Sequence, residues 1–181
     1  MIPTALHFSG HVRSPMDYHP GQAGNGRGFV NPLTVEDMKQ AKCLATMIYG
    51  EARGESQTGK VAVAFTALNR AGKTTVCKVV LAPKQYSIFN DNPSLKAAAL
   101  SMNLEPRQKN IIDKAGWVQS TEVAELVIRK EIIDPTKGAT HYLADKVMKL
   151  KGYQYPRWSR EYQMVAVIDN HKFYKQKERN I

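Results

Sequence analysis

Two helical patterns follow one another closely in the first half of the sequence, and they constrain the fold more than any other feature. Thr34, with Asp37 three residues later, resembles a capping box, and a helical pattern runs from there to about Glu55. A second pattern covers residues 58–70, where apolar side chains recur at helical spacing, and Gly72 is suited to end it. Both helices carry an apolar face, so each must pack against another part of the chain.

The rest of the chain predicts shorter elements and a β-hairpin. Residues 92–102 and 120–132 have helical patterns, whereas the apolar segment at residues 74–81 is too short to assign to helix or strand. Strand-like runs follow a turn, at residues 139–144, 163–168 and 171–174, and the last two resemble a hairpin.

Length and composition describe one globular domain with a strong positive charge. The chain has 181 residues, of which 43% are hydrophobic and 23% charged, and this is enough to bury a core. Glycines and prolines in residues 1–32 predict an irregular arm, followed by a single domain over residues 33–181. No apolar run approaches the roughly 20 residues that cross a bilayer. The net charge of +10 favours an anionic partner, such as nucleic acid, anionic lipid or a cell-wall polymer.

The cysteines and histidines form no recognisable metal site. Cys43 and Cys77 lack metal-ligand spacing, so two free thiols in the core are the favoured interpretation, and a disulfide between them stays open. His7, His11 and His19 lie in the arm, where glycine and proline argue against a helix that would bring them together. We therefore expect no metal and no other cofactor.

The stretch YGEARGES places two glutamates four residues apart at the end of the first helical pattern. Projected at 3.6 residues per turn, Glu51 and Glu55 continue the apolar stripe of Leu44 and Ile48. Arg53 points to the opposite side. A carboxylate held in a dry cleft is desolvated and can keep a proton near neutral pH, as a general acid must. The alternative is a fraying helix end whose glutamates reach water or pair with a distant lysine, and periodicity leaves both interpretations open.

Several blocks of sequence carry a family resemblance. EARGE at residues 51–55 is followed by GKVAVAFTALNR at residues 59–70, and TVCKVV, KQYS and DPTKGATHY come after it in order. The pattern continues through Pro156 and Trp158 to HKFY at residues 171–174. In this order the blocks resemble the SleB-type cell-wall hydrolases, which include spore-cortex-lytic enzymes and phage lysis proteins. The resemblance spans about residues 41–174 and leaves the arm outside it.

The resemblance implies a mainly helical α+β fold of the lysozyme-like, lytic transglycosylase type, with a small β-hairpin. It also implies cleavage of the β-1,4 bond between N-acetylmuramic acid and N-acetylglucosamine in peptidoglycan. Ordinary glycosidases need two carboxylates. In a lytic transglycosylase the muramyl 6-hydroxyl attacks instead and forms a 1,6-anhydro sugar, so one carboxylate can suffice. By the resemblance Glu51 is the catalytic acid and base, and Glu55 supports it by anchoring the helix end or tuning the field.

Further site residues follow from the other blocks. Tyr86, between Gln85 and Ser87, stands where the family usually has phenylalanine, and it would stack on a sugar ring or belong to the core. Tyr142, beside His141 on a predicted strand, would orient Glu51 or the substrate N-acetyl group. Three more residues have both a structural and a substrate-binding interpretation: Asn69, Arg70 and Trp158.

Three other functions compete with this one. A muramidase would hydrolyse the same bond with water. A basic nucleic-acid-binding protein would explain the charge, but the basic residues are dispersed and no nucleic-acid-binding motif occurs. A structural phage protein could retain the fold without activity, although the intact Glu51 argues against that.

The N-terminus shows no basic leader followed by an apolar core, so we expect no signal peptide. A phage endolysin of this kind would accumulate in the host cytoplasm and reach the cell wall or periplasm once another protein permeabilises the membrane. A virion-borne wall enzyme would fit as well. The expected partners are peptidoglycan glycan strands and, through the positive charge, the anionic envelope surface, with no nucleic acid and with the chain acting as a monomer.

Overall fold

The computed structural model describes residues 32–90 and 111–177. The chain divides into two units, Met1–Pro32 and Leu33–Ile181, and the fold given below is that of the second. Two predictions, the helix over residues 92–102 and the histidines of the arm, lie outside the described residues.

The described part is mainly helical and ends in a small antiparallel sheet, so the predicted α+β class with a β-hairpin is confirmed. In chain order its elements are α1 Val35–Ala52, α2 Gln57–Ala71, α3 Val76–Val80, α4 Ser87–Asn90, α5 Ile111–Ile128, β1 His141–Ala144, α6 Asp145–Lys151, α7 Trp158–Glu161, β2 Gln163–Ile168 and β3 His171–Lys175.

The first helix begins where the capping box predicts. The Thr34 side chain accepts a hydrogen bond from the Asp37 amide at 3.1 Å, and the Asp37 carboxylate accepts one from the Thr34 amide at 3.3 Å. The helix is the centre of the core, where Leu44 and Ile48 are fully buried, and it packs against α2, α3 and α5. It ends at Ala52, before Glu55, so the predicted end of this helix was wrong.

The second helix explains why the first one stops. Ser56 is its N-cap, with the hydroxyl oxygen accepting a hydrogen bond from the Gly59 amide at 3.1 Å. Ser56 has a φ of −58° and a ψ of 167°, which is outside the helical region, so it cannot continue a preceding helix. At the other end Gly72, with φ of +50°, closes α2 as predicted.

The third long helix differs from its prediction at both ends. Helix α5 begins at Ile111 and ends at Ile128, whereas the pattern suggested residues 120–132. Lys130 has a positive φ of 59°, which ends helical geometry soon after Ile128. Trp117 of this helix packs edge-on against Tyr49 of α1, with the ring centroids 5.8 Å apart.

A disulfide joins Cys43 of α1 to Cys77 of α3, so the favoured interpretation of two free thiols was wrong. The Cα atoms are 5.3 Å apart across 34 residues of sequence. This proximity arises because α3 packs on α1, a tertiary contact that cysteine spacing does not encode. Closing a loop of this length stabilises a fold by about 4 kcal/mol in the chain-entropy account.

The sheet has the strand order β1-β3-β2, with both pairings antiparallel. β2 and β3 form the predicted hairpin through a turn at Asp169 and Asn170, where Asp169 has a φ of +50°. In the other pairing, Tyr142 of β1 lies opposite Phe173 of β3. Phe173 is fully buried, so the sheet brings β1 up to the helical core.

Candidate active site

A cleft of about 350 Å³ lies between the C-terminal end of α1, helix α2 and the start of the sheet. It brings together five of the seven residues that the sequence singled out as catalytic or supporting: Glu51, Gln85, Tyr86, His141 and Tyr142. Four further residues complete its lining: Thr66, Arg70, Thr140 and Trp158.

Glu51 lies in the last turn of α1 and is half-buried in the cleft. The hydroxyl of Tyr142 donates a hydrogen bond to its Oε2 atom at 3.3 Å. Burial, followed by the nearby Glu51 carboxylate, raises the pKa of Tyr142 well above its ordinary value. The phenol therefore stays protonated at neutral pH and remains a donor to Glu51.

Arg70 and Tyr86 form one side of the cleft. The Arg70 guanidinium lies over the Tyr86 ring, 5.9 Å from its centroid, and donates a hydrogen bond to the Gln85 side chain. Burial raises the pKa of the Tyr86 phenol, against the effect of the Arg70 charge. The Tyr86 hydroxyl is buried beside Arg70 and Thr66. This side thus offers the Arg70 cation to a polar ligand.

The side around His141 is aromatic. The His141 ring lies 5.0 Å from Trp158 and 4.9 Å from Tyr162, and its Nδ1 atom is 2.9 Å from the Thr140 hydroxyl. Burial and the Arg70 charge lower the pKa of His141, so the ring is neutral at pH 7. A neutral ring beside an indole suits stacking on a sugar better than binding of an anion.

Glu55 does not line the cleft, although the sequence placed it on the same stripe as Glu51. Its carboxylate accepts hydrogen bonds from the Asn170 side chain at 3.3 Å and lies 3.8 Å from Nδ1 of His171. The buried Lys60 ammonium donates to the Glu55 backbone carbonyl. Glu55 therefore connects the end of α1 to the β2–β3 turn.

The same turn is held to α2 by a second carboxylate. Asp169 Oδ2 accepts hydrogen bonds from the Ser56 hydroxyl at 2.6 Å and from the Ser56 amide at 3.0 Å. A Cβ atom at Gly59 would come within 2.3 Å of that oxygen, so a larger residue there would have to displace the Asp169 carboxylate. Together these contacts fix the position of β3 and, through its pairing, of Tyr142 in β1.

His171 lies between this turn and the cleft. It is buried, and its ring packs against the Tyr142 ring with centroids 5.2 Å apart. Burial lowers the pKa of His171, and the charges of Glu55, Asp169 and Glu51 act in the opposite direction. We refer to Glu55, Ser56, Lys60, Asp169, Asn170 and His171 as the hairpin brace.

Asn69 has a structural role. Its amide donates to Asp134 Oδ2 and to the Ala139 carbonyl, both at 2.9 Å. Burial opposes ionisation of Asp134, but hydrogen bonds from Thr136 and Asn69 outweigh it and lower the pKa of this carboxyl. These contacts hold the loop that leads into β1.

Two residues discussed from the sequence remain, Ser87 and Arg53. Ser87 begins α4, and its side chain lies outside the described part of the structure. Arg53 is exposed and lies over the Tyr49 ring at 5.4 Å, away from the cleft, as the helical projection predicted.

Thr66 and Thr140 were missed by the sequence analysis, and Arg70 was left undecided. Thr66 and Arg70 are four residues apart on α2, so they share one face of that helix. This spacing is the sequence signal that could have identified Thr66 together with Arg70. Thr140, directly before His141, belongs to no pattern that could have identified it.

Two negative findings apply to residues 32–90 and 111–177. No group of three or more His, Cys, Asp or Glu side chains there is placed to hold a metal ion. No helix in the same residues is long and apolar enough to span a bilayer.

Comparison with known proteins identifies the family. The model of the cell wall hydrolase family matches residues 54–174, which is more than half of the chain. The matched range includes most of the cleft and begins just after Glu51. Comparison with the curated proteins gives no match.

Two solved structures match this chain. The catalytic domain of the Bacillus cereus SleB protein is 25% identical, with a TM-score of 0.49, over 84% of this chain and 100% of that one. The catalytic domain of the germination-specific lytic transglycosylase SleB from Bacillus anthracis is 23% identical, with a TM-score of 0.48, over 80% and 98%. The family match over residues 54–174 is the stronger result, and by it this chain belongs to the cell wall hydrolase family.

Proposed function

We propose that this protein cleaves the β-1,4 bond between N-acetylmuramic acid and N-acetylglucosamine in peptidoglycan as a lytic transglycosylase. The observation that carries the proposal is the composition of the cleft. Glu51 is the only carboxylate among the described residues that line it. A hydrolysing glycosidase uses a pair of carboxylates on either side of the bond. A single carboxylate suits a reaction whose nucleophile is part of the substrate.

The proposed reaction moves one proton out of Glu51 and one back. The Glu51 carboxylic acid protonates the glycosidic oxygen as the bond from that oxygen to the muramyl anomeric carbon breaks. The muramyl 6-hydroxyl then attacks that carbon, and the Glu51 carboxylate removes the hydroxyl proton. The products are a 1,6-anhydromuramyl end and a free N-acetylglucosamine hydroxyl, and no water is consumed.

The neighbours of Glu51 each have a role in this scheme. Tyr142 donates to Oε2 of Glu51 and stabilises the carboxylate that forms after the first proton transfer. Trp158 and His141 provide a surface on which a sugar ring can stack. Arg70 and Gln85 offer donors to acyl oxygens or carboxylates of the muramyl substituents.

The disulfide and the charge support a site of action outside the cytoplasm. Structural disulfides persist in oxidising compartments such as the periplasm. A net charge of +10 favours contact with an anionic envelope.

We propose that the protein is a phage endolysin that acts on the host wall after the membrane is permeabilised. Co-expression with a membrane-permeabilising protein should lyse cells, and the Glu51→Gln variant should not.

Product analysis tests the chemistry. Purified peptidoglycan is digested with the wild type and with Glu51→Gln, and the products are identified by mass spectrometry. We expect anhydromuramyl ends from the wild type only. Reducing muramyl ends would instead identify a muramidase, and full activity of Glu51→Gln would remove Glu51 from the mechanism.

A further inference from the structure

The short helix α6 carries two exposed aliphatic side chains. Leu150 is 84% exposed and Val147 is 43% exposed. Lys146 and Lys151, also exposed, are their neighbours on the helix. Single exposed aliphatic residues are common and need no explanation. The arrangement of these four, which we call the lysine-flanked face, is more specific.

Helical geometry places the four residues on one side of α6. At about 100° per residue they fall in the order Lys146, Leu150, Val147, Lys151 within an arc of about 140°. The two aliphatic side chains therefore occupy the middle of the face, and one lysine stands on each side.

The opposite side of the same helix is fixed to the protein. Asp145 forms ion pairs at 2.8 Å with Lys149 of the same helix and with Lys172 of β3. The Tyr155 hydroxyl donates to the same carboxylate at 2.6 Å. These contacts prevent the helix from rotating to bury Leu150, so the lysine-flanked face is held toward solvent.

An exposed tyrosine extends this face. Gly152 ends α6 in the left-handed conformation with φ of +63°, and Tyr153 directly after it is 56% exposed. The Lys151 ammonium lies 5.6 Å from the centroid of the Tyr153 ring. Tyrosines with an apolar ring and a polar tip concentrate at membrane–water interfaces.

The chemistry of this face matches the surface of an anionic phospholipid bilayer. Lysine ammonium groups bind lipid phosphates while their alkyl stems lie along apolar surface, and the aliphatic side chains between them enter the headgroup boundary. A glycan strand would fit less well, because Leu150 and Val147 offer no hydrogen bond to sugar hydroxyls. Two lysines on the face, on a protein with a net charge of +10, complement the negative charge of the bilayer.

We propose that the lysine-flanked face, with Tyr153, is a docking site for the anionic surface of a phospholipid bilayer. Docking of this kind is reversible, because few side chains take part. It weakens with salt, because salt screens the attraction between the lysines and the lipid phosphates. After Tyr153 the chain leads to α7, where Trp158 lines the cleft, so a docked molecule would keep its cleft near the membrane. The proposal does not depend on the reaction that the cleft catalyses.

Vesicle sedimentation tests it with the full chain. Binding is measured to vesicles of phosphatidylglycerol mixed with phosphatidylcholine, to vesicles of phosphatidylcholine alone, and to insoluble peptidoglycan sacculi. We expect the wild type to prefer the anionic vesicles. Lys146→Gln with Lys151→Gln should weaken that binding by about 30-fold, at about fivefold for each lysine near the surface. Leu150→Ser should weaken it as well, and neither change should alter binding to sacculi.

Matched controls separate this face from general charge and hydrophobicity. Lys73→Gln with Lys78→Gln removes the same charge from two other exposed lysines. Ile133→Ser changes an aliphatic residue that is 89% exposed elsewhere. Equal losses in the control and face variants would overturn the proposal, as would loss of binding to sacculi with vesicle binding unchanged, which would assign the face to the glycan. Circular dichroism establishes that each variant is folded.

Discussion

The two glutamates of the EARGE stretch, Glu51 and Glu55, lie four residues apart but occupy different environments. Glu51 is in the last turn of α1 and faces the cleft, where it accepts a hydrogen bond from Tyr142. Glu55 is beyond the helix and faces the turn between β2 and β3. The difference shows that the end of a helix can assign two similar carboxylates to separate tasks. In the proposed reaction Glu51 transfers the proton, and Glu55 holds the turn next to the strand that positions Tyr142.

The largest expected effect is on Glu51. Replacing it by Gln keeps the shape and removes the titrating group, so peptidoglycan cleavage should fall by about 10²–10⁴-fold, the usual contribution of general acid–base catalysis. The melting temperature should stay near that of the wild type. A turbidity assay on purified sacculi measures the rate. A loss of only a few-fold would show that another group supplies the proton.

The hydrogen bond from Tyr142 gives the next largest effect. Tyr142→Phe removes the donor to Glu51 while the ring stays in place, so the rate should fall by about tenfold, the value of one hydrogen bond to a charged group. Tyr155→Phe is the matched control, since it removes a tyrosine hydroxyl that donates to a carboxylate outside the cleft, that of Asp145, at 2.6 Å. Similar losses in both variants would show that the Tyr142 hydroxyl has no special relation to Glu51.

Glu55 should affect stability more than rate. Glu55→Gln weakens the contacts to Asn170 and His171 and should lower the free energy of unfolding by about 1–2 kcal/mol. The rate at a temperature where the variant is folded should change by less than about threefold. Urea denaturation measures the first quantity and the sacculus assay the second. A large loss of rate in a fully folded variant would place Glu55 in the reaction itself.

The smallest effect is a dependence of stability on pH. Because burial holds the pKa of His171 below its ordinary 6.5, the unfolded chain binds more protons than the folded one as pH falls below that value. Stability should therefore decrease from about pH 7 to pH 5. The pKa of His141 is lowered as well, by burial and Arg70, so both histidines contribute to this decrease.

Comparison of His171→Gln with His141→Gln shows whether the loss of stability at low pH comes from the hairpin brace or from the cleft. His171 is the more deeply buried ring, so its variant should lose more of the pH dependence of the melting temperature. Equal slopes in the two variants and the wild type would show that neither histidine is responsible. Asp134 acts separately, since its lowered pKa removes stability only in strong acid, below about pH 4.

The sequence predicted the features that depend on local patterns. The start of α1 follows from Thr34 and Asp37, and the hairpin from its two strand-like runs. The orientation of Glu51 follows from the apolar stripe of α1. The end of α1 was missed although Ser56, an N-cap residue just after Glu55, was a local signal for it.

Other features depend on tertiary contacts that no local pattern contains. The disulfide requires α3 to pack on α1, and its cysteines are 34 residues apart. The contact between Tyr142 and Glu51 spans 91 residues, and that between Asn170 and Glu55 spans 115. Only the family resemblance suggested the first of these contacts. The hairpin brace was not predicted at all, beyond the expectation that Glu55 plays a supporting part.

In the proposed mechanism one carboxylate, Glu51, serves as acid and base for a nucleophile within the substrate. The most direct test digests peptidoglycan with the wild-type protein in water enriched in heavy oxygen, followed by mass spectrometry of the muramyl ends. We expect 1,6-anhydromuramyl ends that contain no heavy oxygen, because no water takes part. Reducing ends that carry heavy oxygen would contradict it and would show that water is the nucleophile.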